Sequence, residues 1–258
     1  MKLALTGKGG AGKTTLAALL CRLYAAEGKK VLAVDADPDA NLGSALGFSL
    51  EEMAKITPIS QMKELIAERT GTDENNFGKL FKLNPQVDDI PDRFSLEKNG
   101  VKLLVMGNVE KGGGGCVCPE NVMLKQLISH LVIARDEVVI MDMEAGLEHL
   151  GRGTAGMMDW FIVVIEPGER SIQTYKKLIP LANDLGIQKI GAAANKLRGP
   201  EDEDFIHSRI PANELLGCIR YSEETALADR KGVSPYDNGG KIIDDVRKIK
   251  ETLECKEI

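Results

Sequence analysis

Short apolar runs of five or six residues recur along the chain, and longer stretches with apolar residues at helical spacing separate them. Residues 2–6 form the first run and residues 13–27 the first helical stretch, which Gly28 stops. Residues 31–34, 101–106, 137–141, 160–165 and 189–194 are further runs, and residues 216–219 make a weaker seventh. Strands apolar at nearly every position are buried on both faces, and their alternation with helices is the signature of a parallel sheet. The pattern predicts an α/β fold with a mostly parallel central sheet of about seven strands flanked by helices.

Residues 51–99 break this rhythm, with helical spacing over 59–68 followed by a polar, Pro-containing run. No independent core is visible there, so the expectation is one domain over residues 1–258 that carries a helix and loop insertion at about 51–99.

Composition narrows the class of function. Of the 258 residues, 43% are apolar and 28% charged, which excludes disorder of the whole chain. A net charge of −6 argues against a nucleic-acid partner, which needs a concentrated basic surface. The first run leads straight into a glycine loop, leaving no room for a signal peptide, and no run is long enough to span a bilayer. Residues 242–258 could form an amphipathic helix, but their mixed charges suit a domain surface better than a membrane. The expected setting is cytoplasmic, without membrane attachment.

The glycine loop is the strongest chemical signal. Gly7-Lys8-Gly9-Gly10-Ala11-Gly12-Lys13-Thr14-Thr15 lies between the first strand and the first helix. Glycines let the backbone turn its N–H groups toward phosphate oxygens, Lys13 faces the β- and γ-phosphates, and the Thr14 hydroxyl can bind magnesium. Gly9, Gly10, Ala11, Gly12, Lys13, Thr14 and Thr15 are therefore candidate contacts for ATP and Mg2+.

With its early lysine, the loop resembles the deviant Walker A motif of the superfamily that contains MinD, ParA and the nitrogenase iron protein. The resemblance implies that Lys8 reaches the partner subunit's nucleotide in a dimer and neutralises transition-state charge. Val34-Asp35-Ala36-Asp37-Pro38-Asp39-Ala40-Asn41 looks like the superfamily's switch I. By that match Asp37 orients or deprotonates the attacking water, and Asp35 supports magnesium through water; a capped turn rich in Asp and Asn also fits these residues. Residues 138–141 ending in Asp142 look like a Walker B strand, with Asp142 in magnesium's second shell and a switch II segment after it in which Gly146 allows movement. Asn195, in Ala194-Asn195-Lys196, matches the residue that reads adenine.

Two cysteines narrow the resemblance. Gly115-Cys116-Val117-Cys118-Pro119 and Met141-Asp142-Met143-Glu144-Ala145-Gly146 look like the CooC-type ATPases, accessory proteins for nickel insertion into carbon monoxide dehydrogenase, and the related acetyl-CoA synthase maturation factors. Thiolates in Cys-x-Cys spacing can hold one soft or borderline ion, and four ligands normally complete its shell, though a pair of exposed thiols or a local redox couple fits the spacing equally well. One chain supplies half of such a site. A homodimer would supply Cys116 and Cys118 twice around Ni2+ or Zn2+, with glycines 112–115 giving each loop reach. His149 is read with the switch and not as a ligand. The resemblance implies a maturation ATPase that closes on ATP and metal and serves a client nickel enzyme. Two other readings stay open: a MinD- or ParA-like positioning ATPase, which the acidic charge and cysteine pair disfavour, and a reductase whose dimer bridges an iron–sulfur cluster.

Overall fold

The computed structural model describes residues 1–72, 81–107, 118–144 and 152–256. In chain order the elements are β1 (Lys2–Gly7), α1 (Lys13–Ala26), β2 (Val31–Ala36), α2 (Leu42–Leu46), α3 (Leu50–Met53), a 3-10 turn (Ile59–Gln61), α4 (Lys63–Thr70) and α5 (Ile90–Phe94). β3 (Leu96–Lys98), β4 (Val101–Val105), α6 (Pro119–Ile133), β5 (Val138–Met143), α7 (Arg152–Ala155) and β6 (Trp160–Ile165) follow. The chain continues through α8 (Glu169–Asp184), β7 (Ile190–Leu197), α9 (Pro200–Arg209), β8 (Leu215–Arg220), α10 (Glu223–Lys231) and α11 (Lys241–Cys255).

The strands form one sheet in the order β3-β4-β2-β5-β1-β6-β7-β8. Every pairing is parallel except β3 with β4. The central strands β1, β2, β5 and β6 are buried at every position, as double-sided cover requires. On one face, Leu16, Leu19, Leu20 and Tyr24 of α1 pack with Ile242, Val246 and Ile249 of α11. On the other, Leu124, Leu127 and Leu131 of α6 pack with Ile172 and Tyr175 of α8.

The sheet has eight strands where the sequence predicts about seven. The added one, β3, pairs antiparallel with β4 through Leu96↔Leu103 and Lys98↔Val101. Asn99 and Gly100 join them with φ of 52° and 76°, the positive pair that a two-residue hairpin of the right twist needs. A three-residue edge strand bearing Glu97 and Lys98 is too short and too charged to register as an apolar run. The helical spacing over 59–68 resolves into the 3-10 turn and α4, while Ile59, Leu65, Ile66, Val87 and Ile90 join the same core as α6.

Chain connections run one way from β1 to β2 and β4 and the other way from β1 to β6, β7 and β8. Ligands of open α/β sheets bind outside the carboxyl ends of the strands where that reversal occurs. Gly7, Ala36 and Met143 end three adjacent strands at this edge.

Candidate functional site

The loop between β1 and α1 is held in shape by its own backbone and by β7. The Ala11 N–H donates to the Lys8 carbonyl at 3.1 Å, and Leu16 closes the first helical turn on the Gly12 carbonyl at 3.0 Å. Gly12 caps α1 in the left-handed conformation, φ 93°, and a Cβ there would overlap the Asn195 amide. No acidic side chain occupies the first turn of α1. The N-terminus of this 14-residue helix therefore offers its free N–H groups and positive dipole end to an anion.

Acidic residues gather opposite. Asp35 and Asp142 are register partners on β2 and β5, both fully buried. Asp35 accepts from the Leu42 N–H at 2.9 Å and the Asp37 N–H at 3.3 Å, yet burial still pushes its carboxyl up to about 7. Burial likewise raises Asp142 to about 6, against the opposing pull of the nearby Thr14 hydroxyl and Lys13 ammonium. Neither Asp142 oxygen makes a hydrogen bond of normal geometry, so Thr14 is near it without being seated on it. A buried carboxylate without donors is an acceptor prepared for a cation or its hydration shell. Asp37 stands at the rim, its Oδ1 accepting from the Asp39 N–H at 3.1 Å and its Oδ2 lying 3.9 Å from Lys13 Nζ.

These groups border a cleft of about 470 Å³. Gly9, Gly10, Gly12, Lys13, Thr14 and Thr15 form its floor, and Asp37, Asp39, Asn41 and Ser44 one wall. Thr225 and Asp229 of α10, with Val233 and Pro235 beyond it, form the other. Sequence reasoning missed that second wall, although its chemistry was visible as a Gly232 helix stop followed by a Val-Ser-Pro turn. Arg22 of α1 secures it: the guanidinium stacks 4.6 Å over the Tyr236 ring and pairs with Asp237 at 2.9 Å.

Asn195, the expected base contact, lies beside the phosphate loop. Its Nδ2 donates to the Ala11 carbonyl at 2.8 Å and its Oδ1 accepts the Lys196 N–H at 2.8 Å, so the amide braces the loop.

Cys118 immediately precedes α6 and is half-buried. Cys116 and glycines 112–115 lie outside the described residues, as do Gly146 and His149. Among the described residues no three His, Cys, Asp or Glu side chains converge on a metal-sized site. No helix among them is long and apolar enough to cross a membrane.

Comparison with known proteins agrees with this geometry. Residues 3–236 match the CobQ/CobB/MinD/ParA nucleotide binding domain. The carbon monoxide dehydrogenase accessory protein CooC of Rhodospirillum rubrum is 49% identical over 237 residues, 92% of this chain and 90% of that protein. An uncharacterized ATP-binding protein of Methanocaldococcus jannaschii is 44% identical over 96% of both chains. Among solved structures, the MinD cell division protein of Aquifex aeolicus superposes with a TM-score of 0.67 at 18% identity, covering 100% of this chain and 98% of that one. A putative plasmid partition protein from Borrelia burgdorferi bound to AMPPNP gives 0.68 at 16% identity, covering 100% and 99%. These two likenesses concern the fold. The loop, the paired acids at the strand ends and the near-full-length relatives together make the chain an ATPase of the CobQ/CobB/MinD/ParA nucleotide-binding family, in the group of CooC-type accessory proteins.

Proposed function

We propose that this ATPase assists nickel insertion into carbon monoxide dehydrogenase or acetyl-CoA synthase, with nickel as cargo on a site shared by two chains. One observation carries the reading: near-full-length identity of 49% to a carbon monoxide dehydrogenase accessory protein, in a chain that has Cys116 and Cys118 in Cys-x-Cys spacing. Cys118 immediately precedes α6, the helix that leads into β5 with Asp142 on it, which supports coupling between nucleotide and cargo.

In this reading the loop N–H groups and Lys13 bind the phosphates, and Lys8 acts on the partner chain's nucleotide. Asp37 orients the attacking water. Thr14 would hold magnesium directly, with Asp35 and the donor-free Asp142 accepting from its water shell; the ion supplies charge neutralisation at the phosphates. ATP binding closes the dimer and hydrolysis opens it to release cargo or client. The location of the chain is cytoplasmic, with its client.

Equilibrium dialysis with Ni2+ or Zn2+, with and without a non-hydrolysable ATP analogue and paired with solution mass, tests this. The expectation is one ion per two chains, loss of tight binding in Cys116→Ser or Cys118→Ser, and equal mutual enhancement by nucleotide and metal. One ion per monomer, or undiminished binding after both replacements, would refute the shared site. A brown anaerobic preparation would replace the nickel reading with the iron–sulfur one.

A further inference from the structure

β7 and β8 lose their regular pairing between Ala194 and Leu197, and in that interval Lys196 adopts the left-handed backbone region at φ 63°. Residues with a side chain of this size seldom occupy it, and those that do cluster where function holds them. Irregular pairing next to a site re-aims side chains. Here it turns two successive ones onto the phosphate loop: Asn195 Nδ2 donates to the Ala11 carbonyl, and Lys196 Nζ donates to the Gly10 carbonyl. Glu166, just past β6, pairs with the same ammonium at 2.8 Å.

The Gly10 carbonyl shares its peptide unit with the Ala11 N–H, and that N–H donates to the Lys8 carbonyl at 3.1 Å. A trans peptide is planar, with its C=O and N–H pointing in opposite directions. Anchoring one side therefore orients the other. Glu166 pairs with Lys196, Lys196 holds the Gly10–Ala11 peptide, and that peptide holds the Lys8 backbone carbonyl.

We propose that Lys196, oriented by Glu166, is a positioning residue for ATP hydrolysis: through the Gly10–Ala11 peptide it holds Lys8 where that lysine acts on phosphate. The inference rests on the reading of Lys8 given above. Lys196 is half-exposed at the rim and its side chain is absent from the cleft wall, so its removal leaves the phosphate cradle's own groups in place.

The test compares steady-state hydrolysis and binding of an ATP analogue in full-length Lys196→Met, Lys196→Arg, Glu166→Gln and Lys8→Ala. Lys196→Met should lower kcat roughly 10- to 100-fold, the scale of a small misplacement of a catalytic group, with analogue affinity within about threefold of wild type. Glu166→Gln should fall in the same direction by less, and Lys196→Arg should recover most of the rate. In single-turnover measurement, adding Lys196→Met to Lys8→Ala should cost little more, because both act on one step. Lys196→Gly, which suits the left-handed backbone, should fold and show the same loss of kcat. The proposal is overturned by an unchanged kcat in Lys196→Met, by affinity that falls as far as kcat, or by losses that multiply in the double variant. A fully active Lys8→Ala refutes the Lys8 reading itself and takes the proposal with it; an impaired Lys8→Ala beside an unimpaired Lys196→Met refutes the proposal alone.

Discussion

Lys13 Nζ stands 3.9 Å from Asp37 Oδ2, with the lysine side chain 7% exposed and the aspartate 19%. The cation proposed to meet the phosphates and the carboxylate proposed to orient the water thus pair with each other in the ligand-free protein. In the proposed mechanism a γ-phosphate between them would take over the lysine and leave Asp37 facing the attacking water, so the two residues would separate into a binding role and a rate role.

Lys13→Ala should abolish measurable nucleotide binding, since it removes the main cation facing the β- and γ-phosphates and leaves Asp37 unopposed. Isothermal titration with ATP is the measurement, and an affinity near that of wild type contradicts the site.

Asp37→Asn should bind ATP with little change while kcat drops by about 10²- to 10⁴-fold, the usual share of a positioned base. The amide keeps the acceptor for the Asp39 N–H and loses the basic oxygen. An unchanged turnover would make Asp37 a turn residue only.

Asp142 gives a pH signature in the ligand-free protein. Its folded carboxyl titrates near 6, above the ordinary value near 4, because burial disfavours the charge. The folded state therefore binds this proton more tightly than the unfolded one. The associated stability is fully present below about pH 4 and lost as pH rises through 6. Asp142→Asn cannot ionise, so it should match wild type below about pH 4 and exceed it at pH 7.5 by up to roughly 3 kcal/mol, two pKa units at about 1.4 each. The same variant should need more magnesium for hydrolysis. Thermal unfolding at the two pH values decides it; equal stability of the two proteins at pH 7.5 rules out a buried charge there.

Legibility in the sequence followed the range of the interactions. β6 was readable to the residue because six apolar positions are buried together, and the loop from Gly7 to Thr15 was readable because its chemistry lies in consecutive positions. β3 was missed because apolar-run reasoning does not see three residues of a charged edge, although Asn99-Gly100 carried the hairpin signal. Other features depend on residues far apart in the chain. Lys196 meets Gly10 across 186 positions, and Asn195 meets Ala11 across 184. No local pattern announces that β7 ends beside the loop, so the bond from the Asn195 amide to the Ala11 carbonyl could not be read from the sequence. The wall from Thr225 to Pro235 carries a local helix-stop signal, but nothing local sets it against the loop.

That bracing supplies the last prediction. Gly12 sits at φ 93°, where an alanine costs about 1–2 kcal/mol in backbone strain, and the added Cβ would overlap the Asn195 amide that donates to Ala11. Gly12→Ala should therefore destabilise the protein by roughly 2–4 kcal/mol, strain plus a displaced hydrogen bond. Asn195→Ala alone should cost about 1 kcal/mol, leaving the Ala11 carbonyl without that donor. In the double variant the overlap is gone and only strain and the lost bond remain, so the total should fall short of the summed single costs by about 1 kcal/mol. Urea unfolding with unchanged m-values measures all three differences. Additivity within about 0.5 kcal/mol would mean that Asn195 does not press on the loop, because two residues that share no contact have no energy to couple.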